Sequence, residues 1–369
     1  MYLDAWVAEK INMGKFSGVK TGNGYRHGNG PFDFELLTRE ALDAYNQTKR
    51  VELLAFLLEK SPFYQKHLAG FKPFLNDAMS NPMGLYIDST LDNKWAEVPF
   101  TSANDLIREG KQMLCVHPGE ISRIVTQTTS GTTGPSKRIY FTPEDQELTI
   151  DYFHYGMKIM VTPGDKVLIL LPHMSPGSLG FLLQEGLSRL GAQGFFKDSL
   201  EAEASESQYD FESLAAIVGP PSLILGMAKT HPDICPSSVL MTADFVAADD
   251  RKAVKDAWGS RVFEHYGMTE MGLGCAMSCR DTDDNPPVGY HIRENDLYIE
   301  IIDPVSKKNL PDGEWGEIVM TTLTRRGMPF LRYRTGDTGR LLKDSCSCGS
   351  VLKRLDRVQK RTEIKNINY

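Results

Sequence analysis

The chain has 369 residues, 41% hydrophobic and 24% charged, with a formal net charge of -7. That length supports one large domain or two ordinary ones, and the composition is that of a globular protein. The acidic balance argues against a nucleic-acid partner, no run of eighteen apolar residues offers a membrane span, and six cysteines are too few for a disulfide scaffold.

The start of the chain lacks the apolar core of a signal peptide, so a cytoplasmic location is expected. Residues 1–30 are glycine-rich and polar after the first turn and read as a loosely packed arm. From Leu37 to Leu68 the pattern is helical: Leu53, Leu54, Phe56, Leu57 and Leu58 form a wide apolar stripe, and Ser61-Pro62 marks a restart. Pro73 to Pro99 shows little periodicity. Pro99 to Leu106 reads as a short extended piece capped into a helix.

Ile121, Ile124 and Val125 lead into the stretch Thr128 to Lys137, which holds six Ser/Thr hydroxyls, two glycines and a lysine. Glycines let backbone N–H groups turn toward a ligand, hydroxyls add donors and the lysine adds charge, which together suit a polyphosphate. A Ser/Thr/Gly surface turn is the other reading. The spacing is not that of the nucleoside-triphosphatase P-loop.

Beyond this loop the pattern becomes α/β. Val167 to Leu171 is a continuous apolar run, as a buried parallel strand requires. Pro172 to Gly177 breaks it, and a helix with Leu179, Phe181, Leu182, Leu183 and Leu187 follows. Residues 198–210 are acidic, serine-rich and expected to be solvated. Ser222–Leu225 and Ser238–Thr242 are predicted strands, Ala247–Trp258 a helix, and Arg261-Val262-Phe263 a strand delivering His265 to Glu270. Such units define an α/β fold of mostly parallel sheets flanked by helices, with ligand chemistry at the loops beyond strand C-termini. After about residue 285 short strands, Leu297–Ile302 and Glu317–Met320, predict a small antiparallel β subdomain.

The cysteines suggest a metal. Cys346 and Cys348 flank one residue and can reach a common ion if the chain turns between them. Cys275, Cys279 and His291 are candidate partners for a tetrahedral zinc, and four reduced thiols are the alternative.

Three features occur in order: the loop at 129–137, Tyr266-Gly267-Met268-Thr269-Glu270, and Tyr333-Arg334-Thr335-Gly336-Asp337. With Leu58 to Tyr64, Phe100 to Leu106 and Thr321-Thr322-Leu323-Thr324, they resemble the adenylate-forming (AMP-binding) superfamily over nearly the whole chain. The match is best to the phenylacetate–CoA ligase branch, including coenzyme F390 synthetase-like members. The resemblance implies activation of an aryl or acyl carboxylic acid by ATP to an acyl-adenylate. It assigns Ser130, Gly131, Thr132, Thr133, Gly134 and Lys137 to the ATP phosphates, and Tyr266 and Gly267 to the adenine side. Thr269 is assigned to the α-phosphate, Glu270 to magnesium, Asp337 to the ribose hydroxyls and Arg357 to ribose or phosphate. Lys137, Thr269, Glu270 and Arg357 form the implied catalytic set. His173, Phe181 and Ala243 fall where relatives shape the acyl pocket. Members of the branch hold a structural zinc, for which Cys279, His291, Cys346 and Cys348 match, with Cys275 as the competing ligand.

The implied layout is one large AMP-binding domain over 1–350. It comprises a mainly helical region (1–110), the nucleotide-binding α/β core (111–285) and the β subdomain (286–350), with a hinge-like tail at 351–369. Asp356 replaces the usual hinge glycine, and Gln359 stands near the usual hinge aspartate. The family continues into a small mobile C-terminal domain, which this sequence does not contain. Completion of the CoA step is therefore left open. Luciferase-linked acyl-protein synthetases, which pass the acyl group to a protein thiol, are similar short relatives, and a non-catalytic nucleotide- or acyl-binding regulator is a third reading. The partners implied are a small carboxylic acid, a second copy in a homodimer, and either an acyl-acceptor protein or a separate C-terminal domain.

Overall fold

The computed structural model describes residues 2–13, 37–74, 90–128, 136–196, 213–280 and 289–359. Among these, the α-helices before the first strand include α1 (Tyr2–Met13), α2 (Arg39–Lys60), α3 (Pro62–His67), α4 (Thr90–Glu97) and α5 (Ala103–Glu109). Local chemistry sets their ends. The Thr38 hydroxyl accepts the Ala41 N–H to cap α2, and Ser61 caps α3 with Pro62 in its first turn. Ser102 and Asp105 form a reciprocal capping box on α5.

Two expectations for this region fail. The stretch read as a loose arm begins with α1, which buries Leu3, Trp6 and Val7. These residues fall at helical spacing, and Trp6 lies 6.1 Å from both the Tyr152 and Tyr155 rings. At about 2 kcal/mol for each buried large side chain, one such face holds a short helix in place. Residues 14–36 lie outside the described part. The second failure is α4, within a segment read as aperiodic. Trp95 is its buried anchor, too little for a sequence period to register. The first helix also meets the segment before the last described strand: Asp4 Oδ1 accepts hydrogen bonds from the Ser350 hydroxyl (2.8 Å) and the Val351 N–H (3.1 Å).

Strands β1 (Arg123–Thr128) and β2 (Ser136–Phe141) form an antiparallel hairpin closed at Thr128 and Ser136, and residues 129–135 between them are not described. Alternation follows: α6 (Pro143–Met157), β3 (Lys166–Ile169), α7 (Leu179–Leu190), β4 (Gln193–Phe196), β5 (Leu214–Gly219), α8 (Pro221–Thr230), β6 (Ser238–Met241), α9 (Ala248–Trp258) and β7 (Arg261–Tyr266). The strand expected at Ser222–Leu225 lies inside α8. Pro221 opens that helix and Ile224, Met227 and Ala228 bury one face, while the actual strand is the apolar run just before it. The solvated stretch expected at 198–210 lies outside the described residues.

Strands β4, β3, β5, β6 and β7 are parallel neighbours in that order. Past β7 the eight-stranded sheet continues antiparallel through β8 (Ala276–Met277) and β9 (Tyr290–Ile292). A separate antiparallel sheet holds β10 (Leu297–Ile302), β11 (Gly316–Thr322) and β12 (Tyr333–Gly339). The last strand, β13 (Arg354–Leu355), returns to the main sheet and pairs with β9. The β subdomain expected over 286–350 thus has its own sheet only from Leu297 to Gly339, because strands on both sides of it belong to the central sheet.

The small sheet shares one core with α2, α3 and the β2 strand, through Leu54, Leu57, Tyr64, Ile139, Ile318 and Phe330. A buried ion pair stiffens that contact. Arg332 bonds both oxygens of Glu300 and also the carbonyls of Ala96 and Val98 at the end of α4. No described helix is long and apolar enough to cross a membrane.

Candidate active site

The parallel sheet delivers Tyr266 at the C-terminal end of β7, and the chain turns sharply there. A side chain at Gly267 would place its Cβ 1.7 Å from the Leu273 carbonyl oxygen, so glycine is required. Gly272 (φ 80°) and Leu273 (φ 74°) bring the chain back, and the Cys275 N–H closes the loop on the Tyr266 carbonyl at 2.9 Å. Thr269 and Glu270 sit on the short 3₁₀ turn at its tip.

The hairpin meets that turn from both of its strands. Gln127 and Lys137 are cross-strand partners. Gln127 Nε2 donates to Thr269 Oγ1 (2.6 Å), and the Lys137 ammonium is paired with Glu270 Oε1. The Tyr333 hydroxyl donates to the same oxygen at 3.1 Å. Glu270 is 2% exposed and Lys137 14%, so neither charge is dissolved in bulk water. Breaking such a pair by removing one partner costs about 3–5 kcal/mol. The undescribed residues 129–135 include Ser130, Gly131, Thr132, Thr133 and Gly134; the described strands that flank them contact Thr269 and Glu270 through Gln127 and Lys137.

Behind the turn, the Arg325 guanidinium donates to the Glu270 carbonyl. It lies between the rings of Phe141 (4.3 Å) and Phe330 (5.6 Å), with Asp145 at 3.9 Å. Burial pulls its pKa down to about 10 against the opposing pull of Asp145. On the other side, Tyr266 donates its hydroxyl to Asp337 Oδ2 at 2.8 Å. Burial first, and the Asp337 charge second, hold that phenol well above its ordinary pKa. Gly336 (φ 75°) kinks β12 just before Asp337, and its N–H donates to Glu317.

Arg357 lies apart from the Lys137 group, its Nε 3.6 Å from Glu264 Oε1 on β7. Of the acyl-pocket candidates, His173 follows β3 and stacks on Phe196 with ring centroids 3.9 Å apart. Phe181 is half-buried on α7, and Ala243 follows β6 at φ 66°. A non-glycine residue held there stores about 1–3 kcal/mol of strain. Beside it, Thr242 Oγ1 and His265 Nδ1 are 2.7 Å apart, and burial lowers the His265 pKa to about 3, leaving it neutral.

A second cluster lies along the antiparallel end of the main sheet. The ligand atoms of Cys279, His291, Cys346 and Cys348 all fall within 4.8 Å of one another. Cys279 Sγ is 3.6 Å from Cys346 Sγ, and Cys348 Sγ is 3.5 Å from His291 Nε2. A tetrahedron with Zn–S near 2.3 Å and Zn–N near 2.0 Å has edges of about 3.5–3.8 Å, so the residues fit zinc. Burial lowers the His291 pKa, but hydrogen bonds to Cys346 and Cys348 outweigh it and bring it to about 9. Contact with Cys279 and then His291 lowers the Cys348 thiol to about 3. Cys275 is not in this group. It is fully buried behind Tyr266, where burial raises its pKa to about 12.

Gln127, Tyr333, Arg325 and Glu264 all touch residues of the expected site and were given no role by sequence reasoning. Gln127 and Tyr333 could be found from the alternation of their strands, because Gln127 immediately precedes one motif and Tyr333 opens another. Arg325 and Glu264 act through tertiary contacts that leave no local pattern.

At the C-terminal edge of the parallel sheet the β1 and β2 strands, the Thr269–Glu270 turn and the Asp337 strand therefore converge. The sequence profile of the AMP-binding enzyme family matches residues 79–324, and the chain belongs to that family. It is 29% identical over 289 residues to a phenylacetate-coenzyme A ligase of Pseudomonas putida, covering 75% of this chain and 63% of that one. The corresponding ligase of Thermus thermophilus is 27% identical over 349 residues, 90% of this chain and 73% of that one. The chain thus spans less than two thirds of the length of the Pseudomonas relative. Among solved structures, an open conformation of 2-hydroxyisobutyryl-CoA ligase, in complex with 2-HIB-AMP and CoA, shares the fold. Its TM-score is 0.74 and its identity 20%, over 94% of this chain and 78% of that one.

Proposed function

We propose that this chain activates a carboxylic acid with ATP. The observation that carries the proposal is the convergence of Gln127 and Lys137 on Thr269 and Glu270, beside the Tyr266–Asp337 contact. The acid's carboxylate oxygen attacks the α-phosphorus, the bond to the bridging oxygen breaks, and an acyl-adenylate and pyrophosphate form. Positioning and charge neutralisation supply most of the catalysis.

In this reading Asp337 accepts both ribose hydroxyls, for which a carboxylate is well suited, and Tyr266 and Gly267 border the adenine. Thr269 bonds the α-phosphate, and Lys137 with Ser130, Gly131, Thr132, Thr133 and Gly134 holds the phosphates. Arg357 reaches ribose or phosphate. Glu270 offers magnesium the single carboxylate such sites commonly use, and the ion, when bound, neutralises phosphate charge. His173, Phe181 and Ala243 line the acid's side of the site. The curated relatives are phenylacetate ligases, which makes an aryl acid the first substrate class to try, with CoA as the acceptor in a second step.

Cys279, His291, Cys346 and Cys348 would hold a structural zinc that ties β8 and β9 to the segment before β13. A reducing, cytoplasmic setting suits thiols kept as ligands. The test of the main reading is acid-dependent exchange of labelled pyrophosphate into ATP across a panel of aryl and aliphatic acids. Exchange with at least one acid is expected, and ATP binding without exchange for any acid would overturn it.

A further inference from the structure

We infer that Glu264 is a positioning residue for nucleotide recognition, acting through Arg357; this rests on the nucleotide site proposed above. Glu264 and Tyr266 are two residues apart on β7 and so face the same side. Tyr266 reaches Asp337 of β12, and Glu264 reaches Arg357. The segment carrying Arg357 runs beside β12, because Gln359 pairs with Thr338, the residue after Asp337. Two contacts from one face of β7 therefore span to the Asp337 strand and to the segment lying against it.

The backbone around Arg357 is already fixed. Leu355 pairs with Tyr290 on β9, Asp356 is bonded to Arg340 through both main chain and side chain, and Gln359 donates its N–H to Thr338. The Arg357 side chain is 25% exposed, and its Nε lies 3.6 Å from Glu264 Oε1. Glu264 is 1% exposed and is itself held from three directions. The Tyr290 hydroxyl donates to Oε2 at 2.6 Å, the Arg251 guanidinium lies 3.3 Å from Oε1, and the Glu264 N–H donates to Ser278 Oγ. A rigid carboxylate so placed fixes the direction of a long, rotamer-rich arginine before the nucleotide arrives, and lowers the ordering cost of binding.

The test is a double-mutant cycle on AMP affinity, measured by calorimetry with Glu264→Gln, Arg357→Ala and the double variant. Glu264→Gln is expected to weaken AMP about tenfold in the parent chain and to add nothing in the Arg357→Ala background. A merely structural role would give the same loss in both backgrounds, and that result, or no loss at all, would overturn the inference. Tyr290→Phe removes only the hydroxyl that steadies Glu264. It should show the same dependence on Arg357 with a smaller loss, and it serves if Glu264→Gln does not fold. Failure of the unsubstituted chain to bind AMP would sink the nucleotide site itself, and it is told apart because it precedes any substitution.

Discussion

Gln127 and Lys137 face each other across one hairpin and contact two consecutive residues, Thr269 and Glu270. One register therefore sets the positions of a neutral donor and a cation together. A one-residue slip would put the two side chains on opposite faces, so the antiparallel pairing of β1 and β2 is itself part of the site.

Lys137→Met and Glu270→Gln should each destabilise the fold, by about 3–5 kcal/mol where a buried charge is left without its partner. The double variant should recover most of that loss. Urea titrations of the three variants check this, and equal, additive losses would contradict the pairing. Pyrophosphate exchange should fall at least about a hundredfold in all three, since each lacks a charged group that the proposed phosphate site uses.

Asp337→Ala should weaken ATP and AMP binding by more than tenfold while leaving the melting temperature within a few degrees, because Asp337 is only partly buried on β12. Tyr266→Phe, which removes only the hydroxyl donated to Asp337, should have a smaller effect. Calorimetric titration with AMP measures both. Unchanged affinity in Asp337→Ala would remove the aspartate from the site.

Protein purified without added zinc should carry close to one zinc per chain by metal analysis. Cys348→Ser or a strong chelator should lower the melting temperature, because the four ligands join β8, β9 and the segment before β13. Cys275→Ser should leave the metal content unchanged.

His265 predicts a pH dependence. Its folded pKa of about 3 lies below the ordinary 6.5, so the unfolded chain binds a proton that the folded chain refuses. Stability from this group is full above about pH 6.5 and falls as the pH drops toward 3, by a few kcal/mol in total. The pH profile of His265→Gln should be flatter over that window than the parent's. Parallel profiles in urea melts would show that another group carries the acid sensitivity.

The parallel core was legible where apolar runs were long and bounded by proline or glycine, as at Val167–Leu171 and Ser238–Met241. Ser222–Leu225 misled because four apolar or small residues fit either period, and the proline that starts α8 decided between them. In α1, three buried side chains in one turn and a half were outweighed by the glycine-rich residues that follow. The motif residues Tyr266, Thr269, Glu270 and Asp337 stood out because glycines and polar residues interrupt the apolar pattern around them. Arg325 and Glu264 did not, since their contacts join segments 55 and 93 residues apart. The turn that brings Cys346 and Cys348 to Cys279 and His291 is likewise a property of the folded sheet rather than of spacing.

The clasp between Asp4 and Ser350 bears on how the chain is made. The two residues are 346 positions apart, and loop-closure entropy places such a contact late in folding. During synthesis this contact can form only after Ser350 has emerged. Trp6 can dock earlier, on the helix that carries Tyr152 and Tyr155. Ordering of the first helix should therefore proceed in two stages, an early hydrophobic landing and a later polar lock.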